Sequence, residues 1–291
     1  MKIVCLSEAI APITHMSGSS GNESIIAREP VFTHRGQAQI PFLSGNAIRH
    51  RCIRDPGIDW LMKAYDLRGT LSLAELNFLR HGGNLTESSG SENTRRIAEL
   101  RQAWPLLTML GGCLPNQILA GRLEVWRGAL VCEENRDYLA AITGEQSLPQ
   151  LQPAEAFIGG FQYTRGDAAK RGEAEEAEET KSNLMIFSGQ TVLRGACFLH
   201  GMQLHSEDPV EIGAVLNSLA LWQEQGGTIG GQASRGHGRL RCTLIAPEVD
   251  QAECIAAYQS HALANKDAAL TWLRDAFTKG EPKAKKAKVK A

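Results

Sequence analysis

Residues 226–241, GGTIGGQASRGHGRLR, set Gly226, Gly227, Gly230, Gly231, Gly236 and Gly238 around Arg235, His237, Arg239 and Arg241. Such glycine density lets one backbone approach another closely, and the arginines offer paired donors suited to phosphate oxygens. The flanks of this loop narrow the fold. Upstream, Asp208 and Glu211 have capping-box spacing around Pro209, and Ile212, Val215, Leu216, Leu219 and Trp222 fall on one helical stripe. Downstream, Leu240, Cys242 and Leu244 alternate with Arg239, Arg241 and Thr243, the period of a strand with one cationic face. The loop matches neither the P-loop pattern nor a dinucleotide fingerprint. An ordinary flexible connection is the alternative to a phosphate-facing loop.

The rest of the chain alternates in a similar way. Residues 2–13 predict a first strand, and HMSGSSGNESIIAREPVF, with His15, Ser17, Asn22, Glu23, Arg28 and Glu29, predicts a polar loop leading into a second strand at PVFTH. From Ser44, SGNAIRHRCIRD predicts a helix with Ile48, Cys52 and Ile53 on one side and Arg49, His50, Arg51 and Arg54 around the rest. Its N-terminal N–H groups suit phosphate, although a solvated helix face would look the same. Ser72 and Glu75 form a second capping-box pair, and TRRIAELRQAW predicts a further helix before Pro105. GRLEVWRGALVC and FIGGFQYTRG predict strands that could lie side by side. Between Arg165 and Asn183 the sequence is too polar to enter a core, and it must project.

With 291 residues, the chain is long enough to bury roughly 75% of its unfolded surface without disulfides or metal. Thirty-one Lys and Arg balance 32 Asp and Glu, so a polyanion site has to be a local patch. No stretch of 18 apolar residues occurs, which predicts a cytoplasmic protein with no membrane partner. The seven cysteines never form Cys-x-x-Cys, so spacing argues against structural zinc and for reduced core thiols. His200 and His205, five apart in a strand, fall on opposite faces and make a poor metal pair. No metal or cofactor is expected.

These elements predict an α+β fold: a ferredoxin-like, RRM-like palm over residues 1–54 and 113–250, with a helical insertion over 55–112. A projecting β-hairpin thumb over 160–192 is inserted in the palm. A helical segment over 251–278 and a disordered basic tail over 279–291 complete the chain.

In their order, the motifs resemble the RAMP superfamily of CRISPR-associated proteins, specifically the backbone subunits that polymerise along a guide RNA. The family segment I-P-G-S-S-x-[KR]-G-x-x-R corresponds to Ile40, Pro41, Gly45, Asn46, Ala47 and Arg49, with Arg51 or Arg54 as the later basic residue and His50 in place of the glycine. The family's P-L-x-x-L-F-G is similar to Pro105–Gly112, followed by GRLEVWRG. Its G-G-x-x-x-x-G-x-G-R loop is similar to Gly230, Gly231, Gly236, Gly238 and Arg239. The resemblance spans about residues 1 to 246 and is nearest to type IV backbones, with type I or III relatives next.

The resemblance implies a non-catalytic effector subunit that lines up along CRISPR RNA with other copies and other effector subunits, presenting bases to a target DNA or RNA. The implied RNA-binding residues are Asn46, Arg49, His50, Arg51, Arg54, Gly230, Gly231, Arg235, His237 and Arg239. Phosphate and ribose contacts would let such a site accept any guide. Type III relatives that cut RNA use an aspartate between the first strand and first helix. Here no aspartate precedes Asp55, and Arg28 adjoins Glu29, so no nuclease is expected. An α+β enzyme binding a phosphorylated small molecule at the Gly-rich loop, a type III-like nuclease, and a self-assembling protein without nucleic acid are the competing readings.

Overall fold

A computed structural model describes residues 1–20, 23–86, 93–144, 151–165, 185–245 and 249–277. The expected hairpin tip from residue 166 on and the whole of the expected basic tail, 279–291, lie outside these residues. Five strands come first: β1 (Lys2–Ala9), β2 (Met16–Ser20), β3 (Glu23–Ile26), β4 (Arg28–Thr33) and β5 (Gly36–Leu43). Ser44 then caps α1 (Gly45–Ile48) through its side chain, which accepts from the Ala47 N–H. The helix runs on as a π-helical segment (Arg49–Arg54) into α2 (Asp55–Ala64). Three further helices follow, α3 (Leu73–His81), α4 (Thr94–Ala103) and α5 (Pro105–Leu110). The predicted capping box is present at α3, where Ser72 and Glu75 satisfy each other's N–H groups.

Next come the short strands β6 (Gly112–Leu114), β7 (Gln117–Leu119), β8 (Leu123–Val125) and β9 (Gly128–Leu130), then α6 (Arg136–Thr143). The long hairpin is β10 (Ile158–Arg165) with β11 (Met185–Val192), close to the limits predicted for the thumb. The chain closes with β12 (Cys197–Leu204), α7 (Pro209–Glu224), β13 (Leu240–Ile245), α8 (Gln251–Ala264) and α9 (Lys266–Phe277).

The main sheet has the order β13-β1-β12-β9-β5-β4, with β8 also paired to β12. Taking β1, β9, β12 and β13 as first to fourth strands, with the α1–α2 stretch and α7 as crossovers, the order is 4-1-3-2 in a β-α-β-β-α-β chain. That is the ferredoxin-like palm expected. One face, carrying Ile3, Cys5 and Ala9 of β1, belongs to the core built with Ile48, Ile53, Val215 and Trp222. The other carries Val4 and Leu6, which pack with Val131, Leu139 and Leu199 beneath α6.

The insertion helices share the palm core rather than forming their own. The C-terminal helices dock onto them: Tyr65 donates to the Ala262 carbonyl and Trp104 to the Ala269 carbonyl, both at 2.9 Å.

Three expectations change. The stretch at 16–26 is not a plain loop: β2 and β3 form a hairpin that joins β11, giving the sheet β10-β11-β3-β2. This pairing is made by backbone at the edge of a long strand, so no alternating apolar pattern announces it. GRLEVWRGALVC and FIGGFQYTRG are not neighbours either, since β9 pairs with β12 and β5 while β10 pairs with β11. Finally, α7 is not one-sided. Gly213, Ala214, Asn217 and Ser218 are buried too, because α8 covers the face with Gly213 and Asn217 while Ser218 lies against Gly57 of α2.

Gly213 is a point of close approach between α7 and α8: a Cβ there would collide with the Cys254 carbonyl oxygen and come within 2.9 Å of the Tyr258 Cβ. Neither neighbour can rotate away, one being backbone and the other a buried stem. Gly213→Ala should cost about 2–3 kcal/mol, read as a lower urea midpoint at unchanged slope.

Candidate nucleic-acid interface

The strip following β1 organises the site. The Ile10 N–H donates to the Arg239 carbonyl, and the Pro12 carbonyl accepts from the Gly238 N–H at 2.7 Å. One turn of the Gly-rich loop further, the Thr14 carbonyl accepts from the Gly231 N–H at 2.8 Å. The loop thus lies pinned along residues 10–14, and it is no loose connection. Gly230 (φ +74°) and Gly238 (φ +72°) are required for this seat. A Cβ on the first would stand 2.6 Å from the Thr14 carbonyl oxygen, and on the second it would run into the Ile229 carbonyl oxygen.

Side chains extend the join in both directions. Thr14 Oγ1 is hydrogen-bonded to His237 Nδ1 at 2.6 Å, while His15 Nε2 accepts the Ser44 N–H at 3.1 Å. Residues 14 and 15 therefore connect the Gly-rich loop to the cap of α1, so two of the sequence segments singled out are physically joined by the third. Burial lowers the pKa of His15, and burial followed by the Arg235 charge lowers that of His237. Both imidazoles are neutral at pH 7 and act as positioning groups.

The hairpin supplies an aromatic face. Phe161 and Tyr163 lie two apart on β10 and stack at 6.0 Å, and Tyr163 stacks on its cross-strand partner Phe187 at 5.3 Å. Arg235, at the exposed tip of the Gly-rich loop, lays its guanidinium 3.8 Å from the Tyr163 ring centroid. His237 meets Phe161 edge-on at 5.4 Å. Loop and hairpin thus form one surface of flat rings and a cation, the combination that stacks on bases and attracts phosphates. Sequence reading missed this ladder because β10 carries few apolar residues; the alternation of Phe161 with Tyr163 was its only trace.

The predicted basic residues divide. Asn46 is exposed at the start of α1, and Arg49 is half-buried, which lowers its pKa without discharging it. Arg235 and Arg239 are exposed. Among the described residues none of these three arginines pairs with a carboxylate. Arg51 instead bonds Asp55 at 3.3 Å. His50, whose pKa is lowered by burial and then by Arg54, lines an open groove of about 570 Å³ beside Arg51, Asp59, Arg80 and His81. That groove is internally balanced, since Arg80 bonds Asp59 at 2.6 Å.

Arg54 is a correction. It is 4% exposed, and its guanidinium donates to the carbonyls of Leu79 at 3.1 Å, Phe78 at 3.5 Å and Gly111 at 3.2 Å. Burial, then the charge of Arg49, pushes its pKa down to about 10, so it stays cationic at the C-terminal end of α3. Periodicity placed it on the cationic flank, but the π-helical segment shifts the register and turns it inward.

Glu29 is also placed differently. Its carboxylate pairs with Arg127 at 2.6 Å, and Arg28 reaches Glu155 and Gln190 instead.

One group of metal-type donors occurs among the described residues, in the palm core rather than at this surface: Cys5, His200 and Cys242, whose ligand atoms lie within 4.8 Å of one another. Sequence spacing argued against any such group, because the three come from separate strands. As expected, His200 and His205 point apart, the first buried and the second exposed against Glu124 at 2.7 Å.

The distinction between structural and surface arginines is testable in the apo protein. Arg54→Ala should lower unfolding free energy by about 3 kcal/mol, since it takes the guanidinium donors from the buried Leu79 and Gly111 carbonyls and leaves a cavity. Arg49→Ala should stay within about 0.5 kcal/mol of the parent by urea titration.

No protein-family model matches this chain, and no curated protein does. Among solved structures, it aligns over 86% of its length with 92% of a chain from a type IV-B CRISPR complex, at a TM-score of 0.62 and 16% identity. At that identity the likeness is one of fold, and the fold is that of a chain of a type IV CRISPR complex.

Proposed function

We propose that this chain is a backbone subunit of a CRISPR effector complex, with copies lined along a guide RNA whose phosphates they hold and whose bases they leave for a target DNA or RNA. The observation that carries the reading is the joined surface at residues 14–15. It sets the α1 cap, the pinned Gly-rich loop with Arg235 and Arg239, and the Phe161–Tyr163–Phe187 ladder on connected backbone. Every group offered there recognises phosphate, ribose or a ring face, so sequence of the guide is immaterial. The fold shared with a type IV-B chain supports the CRISPR setting, with further subunits as partners and the cytoplasm as the place of action. None of the described helices is long and apolar enough to cross a membrane.

The same reading makes the chain a binder without nuclease activity. Metal-dependent cleavage of a phosphodiester needs carboxylates free to hold Mg²⁺ beside the scissile phosphate. Glu29 is engaged by Arg127, and Glu23 stands at a sheet position with a longer side chain than the aspartate used by type III relatives. Misplacement of roughly 1 Å can cost about a hundredfold in rate.

Anisotropy titrations with unrelated single-stranded RNAs, from ~50 to ~200 mM salt, test the binding. The Arg49→Glu/Arg239→Glu double variant should weaken all sequences alike by at least ~10-fold and reduce the salt slope by about two, one per phosphate contact. Equal affinity of parent and variant across the titration would refute the assignment. Assembled protein with guide, complementary RNA and Mg²⁺ should leave the target whole. Regular cuts that vanish in Glu23→Ala or Glu29→Ala would make the chain a nuclease.

A further inference from the structure

The core face of the palm sheet holds a polar cluster that the RNA surface does not use. Cys5 and Ser7 are two apart on β1 and so share a face. On one side Cys5 stands directly opposite His200 of β12, and on the other Ser7 stands directly opposite Cys242 of β13. Cys5, Ser7 and His200 are essentially inaccessible, at 0%, 0% and 2%. The π-helical segment brings a further thiol, Cys52, fully buried in the same core cluster.

His200 is held in a telling way. Nε2 is hydrogen-bonded to Ser7 Oγ at 2.8 Å, and Nδ1 is buried with no hydrogen-bond partner. With the Nε2–H donating to Ser7, Nδ1 carries an unused lone pair in an apolar core. Metal-bound imidazoles have this arrangement, one nitrogen fixed by a neighbour and the other on the ion.

We propose that Cys5, His200 and Cys242 bind a structural zinc ion, with Cys52 as the fourth donor. The set is Cys3His, one of the closed tetrahedral sets zinc uses. Sulfur at about 2.3 Å and nitrogen at about 2.0 Å from the ion place donors about 3.5–3.8 Å apart. The three donors within 4.8 Å of one another therefore need to close by about 1 Å. Soft thiolates with an imidazole select zinc over magnesium or calcium. Cys52 is not one of the three grouped donors, and its sulfur has to move toward them from the shared core to complete the set. Such an ion would staple β1 to both its neighbours and to the segment that carries Arg49. This site is independent of the RNA-binding proposal.

The test uses the full chain purified without a histidine tag. Elemental analysis should find about one zinc per chain, and cobalt(II) exchange should give the thiolate-to-cobalt charge-transfer absorption together with the visible bands of tetrahedral cobalt. Cys242→Ser and His200→Gln should lose both, while Cys132→Ser, a buried thiol outside the cluster, keeps them. Removing the ion with a strong chelator should lower the melting temperature by about 5–10 °C, restored by zinc. Because a ligand variant can fail to fold, the unmodified protein decides the matter. If it takes up no zinc, binds cobalt without the charge-transfer band, or holds Cys5 and Cys242 as a disulfide under reducing purification, the proposal is wrong.

Discussion

Residues 2–15 act as one extended strip on which the remaining structure is hung. Its first half, β1, lies between β12 and β13 and closes the palm; its second half pairs in turn with the Arg239, Gly238 and Gly231 backbones and with Val192 at the base of the thumb hairpin. His15 at its end fixes the cap of α1. Apart from Ser44, all these partners are more than a hundred residues away, so the strip is ordered only when the whole palm has formed. Its backbone groups would be orphaned by any partial structure, which favours a cooperative fold.

Periodicity and capping made much of this legible in the sequence. Ser44, Ser72 and Asp208 open helices as their chemistry predicts, and the alternation at Leu240, Cys242 and Leu244 sits on β13. What escaped was non-local. The β2–β3 hairpin has polar side chains and is held by backbone bonds to β11, for which Gly189 gives room by leaving space under Phe161. Arg54 was assigned to the surface because its neighbours Arg49 and Arg51 are there, and a single π-helical segment overturned the angle on which that assignment depended. The Cys5–His200–Cys242 group was invisible for the opposite reason: linear spacing tests for a site on one hairpin, whereas strand registry joins residues nearly two hundred apart.

Of the site residues, the glycines were the most faithful signal. A positive φ with a backbone oxygen where a Cβ would be leaves Gly230 and Gly238 no substitute, and in the sequence they stand in a glycine density that lets one backbone approach another closely. The structure shows the approach itself: Gly230, Gly231 and Gly238 press the loop onto the strip, while Arg235 stands exposed at its tip.

That rigidity bears on how a chain with a net charge of −1 could grip a polyanion. Five of its carboxylates are spent locally, Asp55 on Arg51, Asp59 on Arg80, Glu29 on Arg127, Glu211 on Arg122 and Glu8 on Arg241. Arg49, Arg235 and Arg239 are among the arginines with no carboxylate partner within the described residues, and they lie on the α1 stretch and the Gly-rich loop that the strip joins. A flexible loop would have to give up its freedom for each ligand it held, at a cost in affinity. Here the ordering is completed when the palm folds, through the Thr14 and Pro12 carbonyls, so a few unpaired cations on fixed backbone can do what a strongly basic surface does by charge alone. The bulk of the protein then stays near neutral, the condition under which identical copies can pack side by side without repelling one another.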